Sequence, residues 1–465
     1  MSSKAYQIDM ANGSLLDKII LFSIPLMLSG ILQLLFNAAD IVVVGRFAGS
    51  TSLAAVGATS TLINLLVNLF IGLSVGANVV VAKHLGAHND EKVVSAVHTA
   101  IFIALVAGAY LTVFGVLACR TLLEWMSTPY DVIDLSTIYL RIYFLGMPAT
   151  MVYNFGAAIL RAQGDTKRPL YYLSLAGVVN VLLNLFFVIV LHMDVAGVAL
   201  ATIASQYISA FLVVVCLRNE EGALHLDLKK VRFNKSMFFE IAKIGLPAGL
   251  QSSVFAISNV VIQSTVNTFG SIVVAGNSAA SNIEGFVYTA MNTFYQAALS
   301  FTGQSVGAKN YKRINKIMFT CLGLVTITGL ITGVGAYRLG EFLVGIYSTD
   351  PAVVAAGCVR LKYVSQVYFL CGIMDVMVGM LRGIGYSVMP MIVALLGVCG
   401  FRLAWIYTIF PLNPIVDSIY ISYPISWILA FTVHTVCYVV LKGRWQRKRE
   451  EADRLEEERA LLENE

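Results

Sequence analysis

The stretch QLLFNAADIVVVGR, residues 33–46, is apolar enough to lie in a lipid bilayer, yet it carries Asp40 near its middle. A carboxylate at the centre of a spanning helix costs about 2.5–3.5 kcal/mol on insertion scales, so such a residue faces protein or water and not lipid. Just upstream, Ser29, Gln33 and Asn37 precede Asp40 at spacings of four, four and three. On a 3.6-residue period those four side chains share one face. The stretch therefore predicts two things together: a membrane-spanning helix, and a polar stripe on it that needs company.

The rest of the chain has the same character. Of 465 residues, 58% are hydrophobic and 13% charged, with a mean hydropathy of +0.77. A soluble chain carries about 25% charged residues. Apolar runs of about 20–30 residues recur from residue 15 to residue 441, each long enough for a hydrocarbon core about 30 Å thick. The fold class expected is an all-α polytopic membrane protein with about twelve transmembrane helices. The polar N-terminal residues have no secretory cleavage pattern, so the first span serves as an uncleaved insertion signal. Seven cysteines (119, 216, 321, 358, 371, 399 and 437) lie mostly in apolar runs without a C-x-x-C pair, giving no disulfide framework.

The net charge of +5 matters through its placement. Basic residues gather in alternate connections: Lys83 and Lys92; Arg161, Lys167 and Arg168; Arg218, Lys229, Lys230, Arg232 and Lys235; Lys309, Lys312 and Arg313; Arg382. The positive-inside rule then puts both termini and all of these connections in the cytoplasm, with the chain multi-pass in the cell membrane.

A duplication is also visible. LGAHNDEK (85–92) returns as VGAKNYKR (306–313), and LRAQGDTKRP (160–169) as LRGIGYSVMP (381–390), both 221 residues later. SIPLMLSG (23–30) returns as GLPAGLQS (245–252), which aligns Pro25 with Pro247. An even number of spans in each repeat gives both the same orientation, related by an axis along the membrane normal. The expected organisation is an N-lobe over 1–227 that includes the start of the central loop, a C-lobe over 228–442, and a charged cytoplasmic helix over 443–465. That tail alternates its signs at i,i+4.

Intramembrane polar residues mark the candidate sites. In the first half Asn180 and Asn184 are one turn apart on the fifth span, and Thr202 and Gln206 on the sixth. Together with Asn37 and Asp40 they either form a site or serve as interhelical hydrogen-bonding glue. In the second half Asn277, Ser281, Glu284, Tyr288, Asn292 and Gln296 make a continuous stripe on the eighth span. Asp375 lies on the tenth span and Arg402 on the eleventh. Two acids and an arginine suggest a buried ion pair, as cross-bracing or as part of a path. Tyr139, Tyr143, Met147 and Met151 offer either a pocket for aromatic cations or ordinary packing. GQSVGAK lacks the Gly-Lys-Ser/Thr ending of a phosphate loop. No nucleophile–base or metal-ligand constellation suggests an enzyme, and transport must then be driven by an ion gradient.

With twelve spans, two six-span repeats, an early Ile-Pro, ADIVVVGRFAG, VGAKN and LRAQGDTKRP, the chain resembles the multidrug and toxic compound extrusion (MATE) transporters over roughly residues 15–442. The resemblance implies two six-helix lobes in a V and a secondary active exporter of amphiphilic, often cationic, organic compounds. Export would run as antiport by alternating access, driven by H+ or Na+, without cofactor or nucleic acid, in a monomer. The alternative within the same superfamily is a lipid-linked oligosaccharide flippase, whose lumen would be strongly cationic. The pattern is closer to the DinF-like branch, which implies a cation-coupling site of Asp40, Asn37, Asn180, Asn184 and Thr202, where Na+ is one candidate ion. That branch has a second acid where this chain has Asn184. By the NorM-like pattern Asp375 is the tenth-helix aspartate, while Phe255 stands near the place of the seventh-helix glutamate. Glu284, Tyr288, Asn292 and Arg402 complete the expected substrate or proton path. Pro25 removes a hydrogen bond to the carbonyl near Leu21 and is the expected hinge.

Overall fold

The computed structural model describes residues 6–126 and 128–462, and every element among them is helical. Residues 1–5 and 463–465, and with them the extreme termini and the end of the expected charged tail, lie outside the described residues. The first half contains α1 (Leu15–Val43), α2 (Ser50–Gly86), α3 (Asp90–Trp125), α4 (Tyr130–Leu145), α5 (Met147–Ala162), α6 (Lys167–Leu185) and α7 (Asp194–Arg218). The second half begins with α8 (Lys235–Asn267), α9 (Ser271–Gly307), α10 (Tyr311–Arg338), α11 (Gly340–Gly345) and α12 (Pro351–Tyr363). It continues with α13 (Phe369–Gly383), α14 (Val388–Ala394), α15 (Phe401–Thr408) and α16 (Val416–Leu462), which carries the last span on into the charged tail.

Among the described residues nine helices are long and apolar enough to cross a membrane, and up to eleven if two bent pairs each count as one span. The remaining expected span is α9. Its 37 residues reach about 55 Å at 1.5 Å each, but the polar stripe keeps it out of the apolar set. The bent pairs are α4 with α5, at 47°, and α12 with α13, at 43°. Sequence reading gave each as one uninterrupted span. The first bend follows from Pro148, which has no N–H for the carbonyl of Phe144. That carbonyl instead accepts a hydrogen bond of 2.7 Å from the Thr112 hydroxyl on α3. At the second bend the Ser365 hydroxyl donates to the Gly333 carbonyl on α10 at 3.1 Å. In both places a neighbouring helix satisfies or exploits the broken backbone, as lipid cannot.

The halves meet through glycine. A Cβ on Gly72 would lie 2.2 Å from the backbone nitrogen of Gly249, and one on Gly249 would lie 2.1 Å from the carbonyl oxygen of Leu69. α2 and α8 are thus in backbone contact, the close approach that small residues permit between membrane helices. α2 crosses α9 in the same way and with two-fold regularity. Gly86 sits against the Gln304 carbonyl and Gly307 against the Lys83 carbonyl. Between them Asn78 accepts from the Ser300 hydroxyl at 2.9 Å and donates to the Ala158 carbonyl at 3.0 Å. Gly86 and Gly307 are repeat equivalents, so the pseudo-two-fold axis passes between α2 and α9. α1 links the halves too. Phe22 packs edge-on to Phe301 of α9 at 5.6 Å, whereas Phe36 fills the space beside Gly177 of α6.

Apart from the Phe36–Gly177 packing, these contacts lie in the half of the bundle nearest the basic connections. At that end Lys83 and His84 of α2 meet Glu240 of α8 at 2.5 and 3.1 Å. The chain before α1 straps across the same end. Gln7 bonds Gln163 of the first half, and the Arg313 guanidinium of the second half donates to the carbonyls of Met10, Asn12 and Gly13 at 2.9–3.0 Å. The side chain of Met10 is fully buried beneath the strap. The repeated GDTKRP segment forms a turn that meets this strap. Gly164 has φ +92°, and a Cβ there would meet the backbone of Ile8 at 2.7 Å. Asp165 caps α6 through the amides of Lys167 and Arg168, each at 3.1 Å, and Arg168 bridges Asp165 to Glu220 beyond α7. Burial pushes the Asp165 carboxyl up from its ordinary range despite the Arg168 guanidinium beside it.

Gly249→Val should force α2 and α8 apart, because the obstacle is backbone and not a flexible side chain. We expect a loss of about 1–3 kcal/mol, seen as a lower melting temperature in detergent by size-exclusion chromatography after heating. Gly323→Ala on α10, where a Cβ meets open space, should leave the melting temperature unchanged or raise it.

Candidate functional site

In the first half, the Asn184 amide of α6 donates to the Asp40 carboxylate of α1 and lies 3.3 Å from Asn180 Oδ1. Asn184 is fully buried, and its own Oδ1 has no hydrogen-bond partner. Tyr139 and Tyr143 of α4 stand within electrostatic reach of Asp40 and stack at 6.0 Å. The local backbone is unusual: α1 is followed at Val44–Ala48, and α6 at Phe186–Val190, by single π-helical turns. Such turns place an extra residue in the helix and recur at functional sites. Here they follow directly on the segments that carry Asp40 and Asn184. The chemistry available is one carboxylate, two amides and a spare buried carbonyl oxygen, a donor set of hard oxygens that suits a proton or Na+.

Two expected members do not join this network. Asn37 is exposed and makes no side-chain hydrogen bond among the described residues. It lies three residues from Asp40, where the 100° advance per residue leaves the two about 60° apart. Thr202 donates its hydroxyl to Val198 in its own helix at 2.9 Å, the usual satisfaction of a threonine in an apolar span. Pro25 is buried within α1, which continues past it without a break, and the Ser29 hydroxyl donates to the Pro25 carbonyl at 2.9 Å.

In the second half a cavity of about 450 Å³ is lined by α8, α9, α12, α13, α15 and α16. Asn277, Ser281, Glu284 and Tyr288 of the stripe on α9 face it, while Asn292 and Gln296 line a smaller cavity between the halves. The charge pairing of the stripe differs from the expectation. Glu284 is held by Arg360 of α12, with Nε at 3.0 and 3.2 Å from the two carboxylate oxygens and Nη2 at 2.7 Å. Arg360 Nη1 also donates to Asn277 Oδ1 at 2.7 Å, and the Tyr420 hydroxyl donates to that oxygen at 3.1 Å. Among the described residues Arg402 forms no salt bridge with either acid, although it lies within electrostatic reach of Glu284. Its Nε donates to the Ser426 hydroxyl at 2.9 Å, and its guanidinium lies 4.0 Å from the centre of the Tyr423 ring. Arg360 was overlooked in the sequence. Its signal was an arginine within the tenth span, opposite an acid on the eighth.

Asp375 lines this cavity and also a smaller one of about 200 Å³ between the halves, together with Phe255 and Tyr288. It interacts with the Tyr288 hydroxyl, which accepts from Asn292 at 3.2 Å. The smaller cavity holds a second surprise. Arg382, which sequence reading placed in a basic connection, is buried there and donates to Tyr295 and Gln251 at 2.8 Å each. Phe255, Tyr288 and Asp375 thus stand where the inter-half space communicates with the larger cavity.

Replacing Arg360 by Met should leave Glu284 buried without its partner and cost about 3–5 kcal/mol. Adding Glu284→Gln to that variant should recover most of the loss, because no unpaired charge then remains. Melting temperatures of the single and double variants check both statements. Equal melting for all would show that the pair contributes nothing to stability.

A family model described as MatE matches the chain twice, over residues 25–186 and 247–408, in agreement with the internal repeat. The chain is 29% identical over 396 residues to the probable multidrug resistance protein YpnP of Bacillus subtilis, covering 84% of this chain and 87% of that one. It is 24% identical over 438 residues to the probable multidrug resistance protein YoeA of the same organism, with 92% and 94% covered. Among solved structures, its fold is similar to the outward-facing conformation of a multidrug resistance MATE family transporter of the MOP superfamily. The TM-score is 0.88 at 21% identity, over 96% of this chain and all of that one.

Proposed function

The chain belongs to the MatE family, a family of membrane transporters and not of enzymes, and from that premise we propose that it exports amphiphilic organic compounds by antiport with H+ or Na+. The relatives named as multidrug resistance proteins support the substrate class. The basic connections support placement in the cell membrane with those connections and both termini in the cytoplasm. The halves then touch at their cytoplasmic ends, which is the outward-facing arm of an alternating-access cycle.

One observation carries the coupling assignment. Asp40 is the only acid of its network, and Asn184 beside it keeps a buried carbonyl oxygen without a donor. A buried carboxylate is tolerated only with a proton or a cation close by. A proton on Asp40 or a sodium ion between Asp40, Asn180 and Asn184 would satisfy both groups. Release of either into the cytoplasm moves one charge down the membrane potential, worth about 2.3 kcal/mol per 100 mV. α1 is the natural transmitter, since its two ends pack on different halves. Pro25, in the part that packs on α9, is the place where it can bend at least cost. The paired charges of the second half favour the exporter over a lipid-linked oligosaccharide flippase, because Glu284 cancels Arg360 and the cavity is not strongly cationic.

In proteoliposomes, the wild-type protein should move a fluorescent organic cation faster when an opposing H+ or Na+ gradient is imposed. Asp40→Asn should remove that acceleration. Efflux by the variant at the full rate under every gradient would show that Asp40 does not couple. Asn184→Asp, which supplies the second acid of the DinF-like pattern, should shift the dependence towards Na+. An unaltered response to Na+ would place the ion elsewhere.

A further inference from the structure

The charges of the second-half cavity do not cancel residue by residue. Glu284 is spent on Arg360, as its three hydrogen bonds show. Arg402 is only 5% exposed and has no carboxylate within salt-bridge distance among the described residues. Its Nε is satisfied by Ser426, and its guanidinium plane rests on Tyr423 with Trp427 at 5.6 Å. Its Nη2 is buried and has no hydrogen-bond partner among the described residues. Arg402 also lines the cavity.

A buried guanidinium with unused donors is expensive unless something anionic meets it. Stacking on tyrosine and tryptophan offsets part of that cost and fixes the plane of the fork. It does not use the N–H groups. A guanidinium resting against aromatic rings, with Nε bonded to Ser426 and Nη2 without a partner among the described residues, has donors left for a carboxylate oxygen. The surrounding rings supply the apolar wall that the rest of such a ligand needs.

We propose that the second-half cavity recognises aromatic amphiphiles through a carboxylate that pairs with Arg402. The proposal rests on the reading of the protein as an exporter and narrows it. Organic ions that carry a carboxylate, and not only simple organic cations, are ligands of this cavity. Asp375, in the same cavity and with no arginine within salt-bridge distance among the described residues, leaves room for a cationic group elsewhere on the same molecule.

The test compares rhodamine 110, which has a free carboxylate, with rhodamine 123, its methyl ester. The two share the same ring system and amino groups. Fluorescence anisotropy with the purified full-length protein gives both affinities. The wild type should bind the acid about 10- to 100-fold more tightly than the ester, the range for hydrogen bonds to a charged group. Arg402→Gln should remove the preference by weakening the acid alone. Arg402→Lys, which keeps the charge and loses the fork, should retain a reduced preference and serves if the Gln variant does not fold. A wild type that binds the ester as tightly as the acid, or binds neither, overturns the proposal. So does an Arg402→Gln variant that weakens both dyes equally, since that marks Arg402 as a packing residue. These equilibrium readings are independent of transport. If rhodamine 123 leaves proteoliposomes at no faster rate under any gradient, the exporter reading fails while the binding preference still decides the role of Arg402.

Discussion

At four glycines where α2 crosses α8 and α9 even a Cβ would collide with the facing backbone, and that exclusion organises the molecule. Gly72 and Gly249 bring α2 and α8 into backbone contact, while Gly86 and Gly307 do the same for α2 and α9 about the pseudo-two-fold axis. In lipid there is no hydrophobic force to press helices together, so close packing of small residues has to hold them. Among the described residues the polar bonds across the crossing include Asn78 with Ser300, the Ser253 hydroxyl with the Leu65 carbonyl at 3.4 Å, and Glu240 with Lys83 and His84, and Gln304 adds a bond to the Ala162 carbonyl of α5 at 2.7 Å. Dispersion contacts of this kind are individually weak and are lost together once the backbones separate. The strap over residues 6–14 adds carbonyl acceptors for Arg313 from one side and Gln163 contact from the other.

The halves arose from one repeat but handle charge differently. In the first, Asp40 stands with amides and tyrosines and has no cationic partner, so its state depends on what it binds. In the second, Glu284 and Arg360 are mutually satisfied and rigid, and they brace α9 against α12. What remains free there is one arginine and one aspartate at different places in an aromatic chamber. α1 touches both halves.

Much of this was legible in the sequence. Asp40 and the pair Asn180/Asn184 follow helical periodicity, and so does the stripe on α9. The repeat was visible because Pro25, the Gly-Ala-x-Asn connection and the Leu-Arg-x-x-Gly turn recur at one offset. Other features had no such signal. The bend at Pro148 was not read from the sequence, which gave one uninterrupted span, and the Thr112 hydroxyl that completes it lies on another helix. The π turns after Asp40 and Asn184 have no distinctive composition. Asn37 shares the stripe with Asp40 yet remains exposed, because a face is broad and a site is not. Arg382 sits beside a tight turn like a connection residue, and only the packing of Tyr295 and Gln251 draws it inward.

By itself the sequence determined the class of solvent, the number and period of the spans, the duplication and the family resemblance, since each depends on composition or local order along the chain. The tertiary structure decided which charges cancel. Hydrogen-bond partners are set by how helices cross, and Glu284 is 76 residues from the arginine that neutralises it. For the same reason only the folded chain separates Arg360, which is bonded to Glu284, from Arg402, whose Nη2 has no partner among the described residues.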